Sequence, residues 1–291
     1  RPRGRVFPAS RWGAPGGKKP APTLAEQRAA VVKRLNEVRQ SVGLDPVKED
    51  PELSKGCQLH AEYLARNHGR KEVENGGAHR EEGHLDGYSE EGVKSGGRSV
   101  IAYPGRGDPV EWAIDNLMAT LYHRSLIIEL DLTRIGIGIS KCANETYVVV
   151  IDVHTLRKVG NLSALPVLYP YPNQCDVPCV FSLGRGEWPD PRPKPTKKSG
   201  YPITVTGSYR AWKPGKAVAK LFLGEIEIPC WYSAPDSPAL VDHRQETTMC
   251  LLPIDPLKAL AKYTVVVTCK KFGEEKTPEW SKTWSFTTGK E

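Results

Sequence analysis

His123 stands near the end of the stretch DPVEWAIDNLMATLYHRSLI (108–127), and counting back from it in fours gives Ala119, Asp115 and Glu111. Residues four apart are neighbours on a helix, so this spacing strings two carboxylates and an imidazole along one slowly drifting line. Two kinds of chemistry suit such a set. Facing solvent, it is a polar face whose imidazole complements a helix C-terminus. Otherwise His123 is one ligand in a site that the rest of the helix helps to build. His60 and His68 read as ordinary surface or core residues. Cys57, three residues before His60, falls on the inward stripe of its helix, a poor geometry for nucleophilic attack, and the chain has no G-x-S-x-G turn.

The elements that must hold these groups are legible as helices and strands. Asp108 is placed to cap the His123 helix, with Pro109 in its first turn and Glu111 at the capping-box position. Val110, Ile114, Leu117 and Leu121 supply its apolar stripe. Thr23 and Glu26 form a second capping box, opening a helix with Leu24, Val31, Leu35 and Val38 inward. Asp50 and Pro51 open a third, with Leu53, Cys57, Ala61 and Leu64 inward. Residues 69–98 lack periodicity and read as a long loop, a length that tends to carry function. TRIGIGIS and ETYVVVIDVH alternate as paired strands about a turn at Lys141–Asn144.

From about residue 160 the texture changes. Prolines crowd LPVLYPYPNQCDVPCVFSLGRGEWPDPRPKP, excluding a helix or central strand, and then YPITVTGSY, KAVAKLFLGEIEIPCWY, TTMCLL, KYTVVVTCKK and TWSFTTG read as short strands between turns. Such spacing predicts an all-β sandwich of immunoglobulin-like topology, with Tyr263 as its corner tyrosine. The expected division is a basic, Pro/Gly-rich disordered segment at 1–22, a first domain at 23–158, a connector at 159–198 and the sandwich at 199–291.

The net charge of +7 comes largely from Arg1, Arg3, Arg5, Arg11, Lys18, Lys19, Lys194, Lys197 and Lys198, in Pro/Gly-rich sequence. With no nucleic-acid motif present, it suits contact with an anionic envelope polymer better than sequence-specific binding of nucleic acid. No apolar run approaches the roughly 18–20 residues that cross a bilayer. The cysteines point to an oxidising compartment: a bridge is expected between Cys175 and Cys179 or among Cys230, Cys250 and Cys269, with Cys57 reduced.

Residues 23–156 carry LNEVRQSVGLDPV, DPELSKGCQLHAEYLARN, GRSVIAY, LYHRSLI, RIGIGIS and YVVVIDV in the order of the blocks of the CAP superfamily (cysteine-rich secretory, antigen 5, pathogenesis-related 1 proteins), and the segment resembles its bacterial, SCP-like form. The W-x-F-T-T run at Trp284–Thr288 resembles the end of bacterial immunoglobulin-like modules. The resemblance implies an α+β fold, an α-β-α sandwich, with a central cleft whose two histidines and nearby acids can hold a divalent metal such as zinc. His123 falls on one of those histidines, and the resemblance draws the other from GGAHREEGHLDGYSEEG, as His79 or His84, with His79 preferred because Glu81 and Glu82 follow it closely, as in related bacterial sequences. The family's G-E-N triplet reads Gly97-Arg98-Ser99 here, so a cleft carboxylate is replaced by a cation, which Asp115 or Glu82 would have to neutralise. The functional expectation is a protein, secreted or held at the cell surface or in the periplasm, that binds an extracellular ligand, envelope polymer or protein partner through a cleft formed by His79, Glu82, His84, Arg98, Asp115 and His123. The alternative is a metal-dependent extracellular hydrolase using the same cleft.

Overall fold

The structure, a computed structural model, describes residues 21–103, 109–157, 166–181, 187–193, 198–208, 214–241, 245, 247–271 and 279–290. Most of the basic N-terminal segment and the capping residue Asp108 lie outside these. Helix α1 (Leu24–Ser41) starts at Thr23, whose hydroxyl accepts from the Glu26 N–H while the Glu26 carboxylate accepts from the Thr23 N–H. After the two-residue strand β1 (Lys48–Glu49) comes α2 (Pro51–Arg66), opened by Asp50 accepting the Glu52 and Leu53 N–H groups. The 69–98 segment is more structured than its sequence suggests. It holds 3-10 turns at Lys71–Val73 and Asn75–His79 and a short helix α3 (Glu90–Gly96), capped when the Ser89 hydroxyl accepts the Gly92 N–H.

Strand β2 (Ser99–Ala102) leads to helices α4 (Pro109–Met118) and α5 (Tyr122–Ile127), followed by β3 (Leu132–Lys141) and β4 (Tyr147–Arg157). The sheet order is β1-β3-β4-β2, parallel at β1–β3 and otherwise antiparallel. Alternation along β4 sorts its two faces. Val148 and Val150 join Cys57, Ala61 and Leu64 of α2, whereas Val149, Ile151 and Val153 join Val31 and Leu35 of α1 and Ile114 and Leu117 of α4. Helices thus cover both faces of the sheet, and the α+β class holds. On β3 the alternation takes an extreme form. Ile135, Ile137 and Ile139 point to the α1/α4 side, while Gly136 and Gly138 meet α2 so closely that a Cβ at Gly138 would come 2.0 Å from the Cys57 carbonyl oxygen. The approach lets Ser54 and Gln58 of α2 accept the Ile137 and Ile139 N–H groups directly.

The described residues from 167 onward form two antiparallel sheets. One is β5 (Val167–Tyr169), β6 (Ile203–Thr206), β10 (Thr248–Pro253) and β9 (Cys230–Ser233), in that order; the other runs β12 (Trp280–Thr287), β11 (Lys262–Lys271), β7 (Pro214–Leu223), β8 (Ile226–Ile228). Strand β5 arises from the Pro-rich connector. The Tyr263 hydroxyl accepts the Lys258 N–H five residues upstream. One apolar cluster runs from α1 and α4 through Tyr169 and Tyr201 to Val205, Val265 and Trp284. At that junction Arg124 is buried between the Tyr169 and Tyr201 rings, 4.7 Å from each centroid, and donates to the carbonyls of Met118 and Pro202. The expected disulfides are not formed: none of the seven cysteines is bridged to another, and Cys57 is buried.

Candidate functional site

The stretch 108–127, expected as one helix, is broken after Met118. Thr120 turns its hydroxyl back onto the Leu117 carbonyl at 2.7 Å, and α5 begins anew at Tyr122. The line expected to run through Asp115 to His123 is therefore interrupted. Asp115 is exposed on α4 and pairs with Arg34 of α1 at 2.6 Å, whereas His123 sits in the first turn of α5, too far from a helix C-terminus to complement one. The new helix start is satisfied from afar: the buried Glu187 carboxylate accepts the Leu121 N–H at 2.8 Å and the Tyr122 N–H at 2.5 Å. Its Oε1 also lies 3.9 Å from His123 Nδ1. Because the single Thr120 proton goes to Leu117, His123 Nδ1, 3.0 Å from that hydroxyl, is the donor of their bond.

His123, His79 and Glu187 line one cavity of about 390 Å³, together with His68, Glu74, Asn75, Tyr103 and Trp188 over a floor of Val73, Ala78 and Ile101. His79 ends the 3-10 turn Asn75–His79, with Nδ1 3.1 Å from the Gly96 carbonyl oxygen. Glu187 has no exposed side-chain surface, and burial pushes its carboxyl up to about 7 against the opposing pull of the Leu121 and Tyr122 N–H groups and the Arg124 charge. The other expected residues lie elsewhere. Glu82 and His84 are exposed and do not line the cavity. Arg98 pairs with Asp152 of β4 at 3.1 Å, where neither Asp115 nor Glu82 is its partner.

Behind the cavity lies a second histidine–carboxylate pair, one that sequence reading had set aside. His60 of α2 is fully buried, with Nδ1 2.9 Å from Glu81 Oε1 and Nε2 2.8 Å from the Ala78 carbonyl oxygen. The other Glu81 oxygen accepts the Ser89 N–H at 2.7 Å. Gly96 leaves room for this ring, since a Cβ there would come 2.5 Å from His60 Cε1. The pair fixes the chain on both sides of His79, through Ala78 and Glu81.

Sequence reasoning missed Glu187 and Trp188. Their one local signal is an acidic–aromatic dipeptide in the Pro-rich connector, and its importance depends on a helix start 65 residues earlier. As for a metal, no group of three His, Cys, Asp or Glu residues among the described ones is arranged to hold an ion, and both Glu187 oxygens are engaged by backbone N–H groups. Among the described residues, His79, His123 and Glu187 therefore bring together two imidazoles and a backbone-bound carboxylate at the cavity, short of a three-ligand metal site.

Among solved structures, the chain is similar to PcoC, a methionine-rich copper resistance protein from Escherichia coli, at 12% identity and TM-score 0.26, covering 42% of this chain and 92% of that one. It is also similar to an outer surface protein from Borrelia burgdorferi, at 18% identity and TM-score 0.34, covering 46% and 94% respectively. TM-scores this low define neither fold nor function. No curated protein matches. Residues 32–153 match the cysteine-rich secretory protein family, CAP, and with its order of helices and strands this part of the chain is a CAP domain.

Proposed function

We propose that the protein is a binding protein that acts outside the cytoplasmic membrane, with its CAP domain receiving a ligand or the exposed end of an envelope partner and the two-sheet, immunoglobulin-like part displaying it. The observation that carries this reading is the joint lining of one cavity by His79, His123 and Glu187. Among the described residues no helix is long and apolar enough to cross a membrane. Binding is favoured over hydrolysis because the candidate nucleophile beside His60, Cys57, is fully buried and desolvation pushes its thiol up to about 12. A water-activating metal also needs about three protein ligands, which the described residues do not bring together.

The test is a thermal-shift screen of envelope fragments, peptides and small metabolites against wild type, His123→Gln and Asp115→Ala. Ligands of the cavity are expected to raise the melting temperature of wild type and Asp115→Ala and to lose most of that effect in His123→Gln. Stabilisation by zinc that disappears in both His79→Ala and His123→Ala, with peptide cleavage stopped by a chelator, would instead establish the hydrolase.

A further inference from the structure

The wall that the connector adds to this cavity indicates what it takes. Trp188 is 59% exposed at the cavity, so its ring gains little from folding. Its position is nevertheless set: the preceding residue, Glu187, is locked into the start of α5, and the indole lies on Gly76, where a Cβ would come 2.5 Å from Trp188 Cζ3. Beside Gly76, Asn75 holds φ at 53°, a left-handed conformation that asparagine tolerates better than most residues, and places an amide with both donor and acceptor at the lip. Among the described residues no Lys or Arg lines the cavity, which disfavours phosphates and carboxylates. The exposed carboxylate there, Glu74, is a single solvated charge, which selects a cation only weakly.

Resting on the cleft-binding reading above, we propose that the cavity binds a neutral saccharide, one pyranose face stacked on Trp188 and its hydroxyls shared among Asn75, Glu74, His79 and His123. The face of a pyranose is a patch of C–H groups that suits the negative face of an indole, and its rim of hydroxyls both donates and accepts, as this lining does. A cavity of about 390 Å³ falls within the range of small-molecule sites.

The experiment is a glycan array of neutral mono- and oligosaccharides (chito-, cello-, malto- and manno- series) with sulfated glycosaminoglycans as the anionic arm, followed by calorimetry with the best soluble sugar. Wild type is expected to retain a neutral saccharide, Trp188→Ala to weaken it at least tenfold, Trp188→Phe to keep most of it, and Asn75→Gly, which keeps the left-handed backbone, to weaken it several-fold, all with unchanged melting temperature. The monosaccharide arm separates a free sugar from a polymer end. The proposal is overturned by the absence of any neutral hit, by undiminished binding in Trp188→Ala, or by retention of sulfated glycans alone, which a net charge of +7 would explain by itself. In the thermal-shift screen, an amine, peptide or nucleoside hit lost in His123→Gln, with no saccharide hit, would overturn the saccharide assignment and leave the cleft reading standing. No hit of any kind would bring down both.

Discussion

Two histidine–glutamate pairs lie within the CAP domain and its attached connector, and they differ in what surrounds them. His60 and Glu81 are sealed: both ring nitrogens and both carboxylate oxygens have partners, and neither side chain has exposed surface. His123 and Glu187 stand further apart, 3.9 Å, at a cavity, and the carboxylate belongs to a segment more than sixty residues away in sequence. The same two residue types thus serve as a fastening in one place and as part of a cavity wall in the other. Residue type does not separate the two settings, and neither does the carboxylate, which is enclosed in both; the histidine does, sealed at His60 and partly open at His123. A sealed pair ties its elements together, and removing one member strands the other in a low dielectric. A pair at a cavity presents a ring edge to whatever enters.

The comparison breaks most readily at the sealed pair. His60→Ala leaves the buried Glu81 without its imidazole and is expected to cost about 3–5 kcal/mol in denaturant unfolding. A loss under about 1 kcal/mol would mean that the Ser89 N–H alone satisfies the carboxylate. A smaller effect, but one with a distinctive pH signature, belongs to Glu187. Its folded pKa of about 7 lies above the ordinary value of 4.5, so the native state holds the proton more tightly than the unfolded chain. That contribution is complete below pH 4.5 and lost as the pH rises through 7, a fall on the order of 3 kcal/mol. Unfolding free energies at pH 5 and pH 8 should show this fall in wild type and not in Glu187→Gln; parallel curves would place the carboxyl in water. The smallest effect is expected from Asp115→Ala. Removing this exposed partner of Arg34 should cost no more than about 1 kcal/mol and leave every cavity ligand bound as before, which calorimetry would check.

What the sequence made legible were the features whose cause lies within a few residues. The Thr23–Glu26 box, the Asp50 cap and the alternation of β4 are local, and each stands where its spacing puts it. The break between α4 and α5 was not legible, because the apolar stripe of 108–127 runs on unbroken while the groups that end one helix and start the next are a hydroxyl back-bond and a distant carboxylate. For the same reason Asp115 looked like a neighbour of His123. The short helix α3 escaped notice because seven residues carry too little periodicity to register, and only the Ser89 cap announces it. The site was half legible: the two histidines lining the cavity stand in recognisable blocks, but the wall facing them comes from sequence whose composition argues against regular structure.

The glycine and isoleucine alternation of β3 has a consequence for how the molecule can vary over evolutionary time. One face of the strand is bare backbone pressed on α2 and the other is a row of branched side chains, so inserting a single residue would drive isoleucines into the helix and leave glycines where α1 and α4 need apolar bulk. The frame is therefore closed to small insertions and deletions. The cavity wall at 68–79 and the Glu187–Trp188 dipeptide lie in turns and connector, where length can change without reversing any face. Lineages carrying this architecture are expected to differ in the loops that meet the ligand long before they differ in the strand that holds those loops apart.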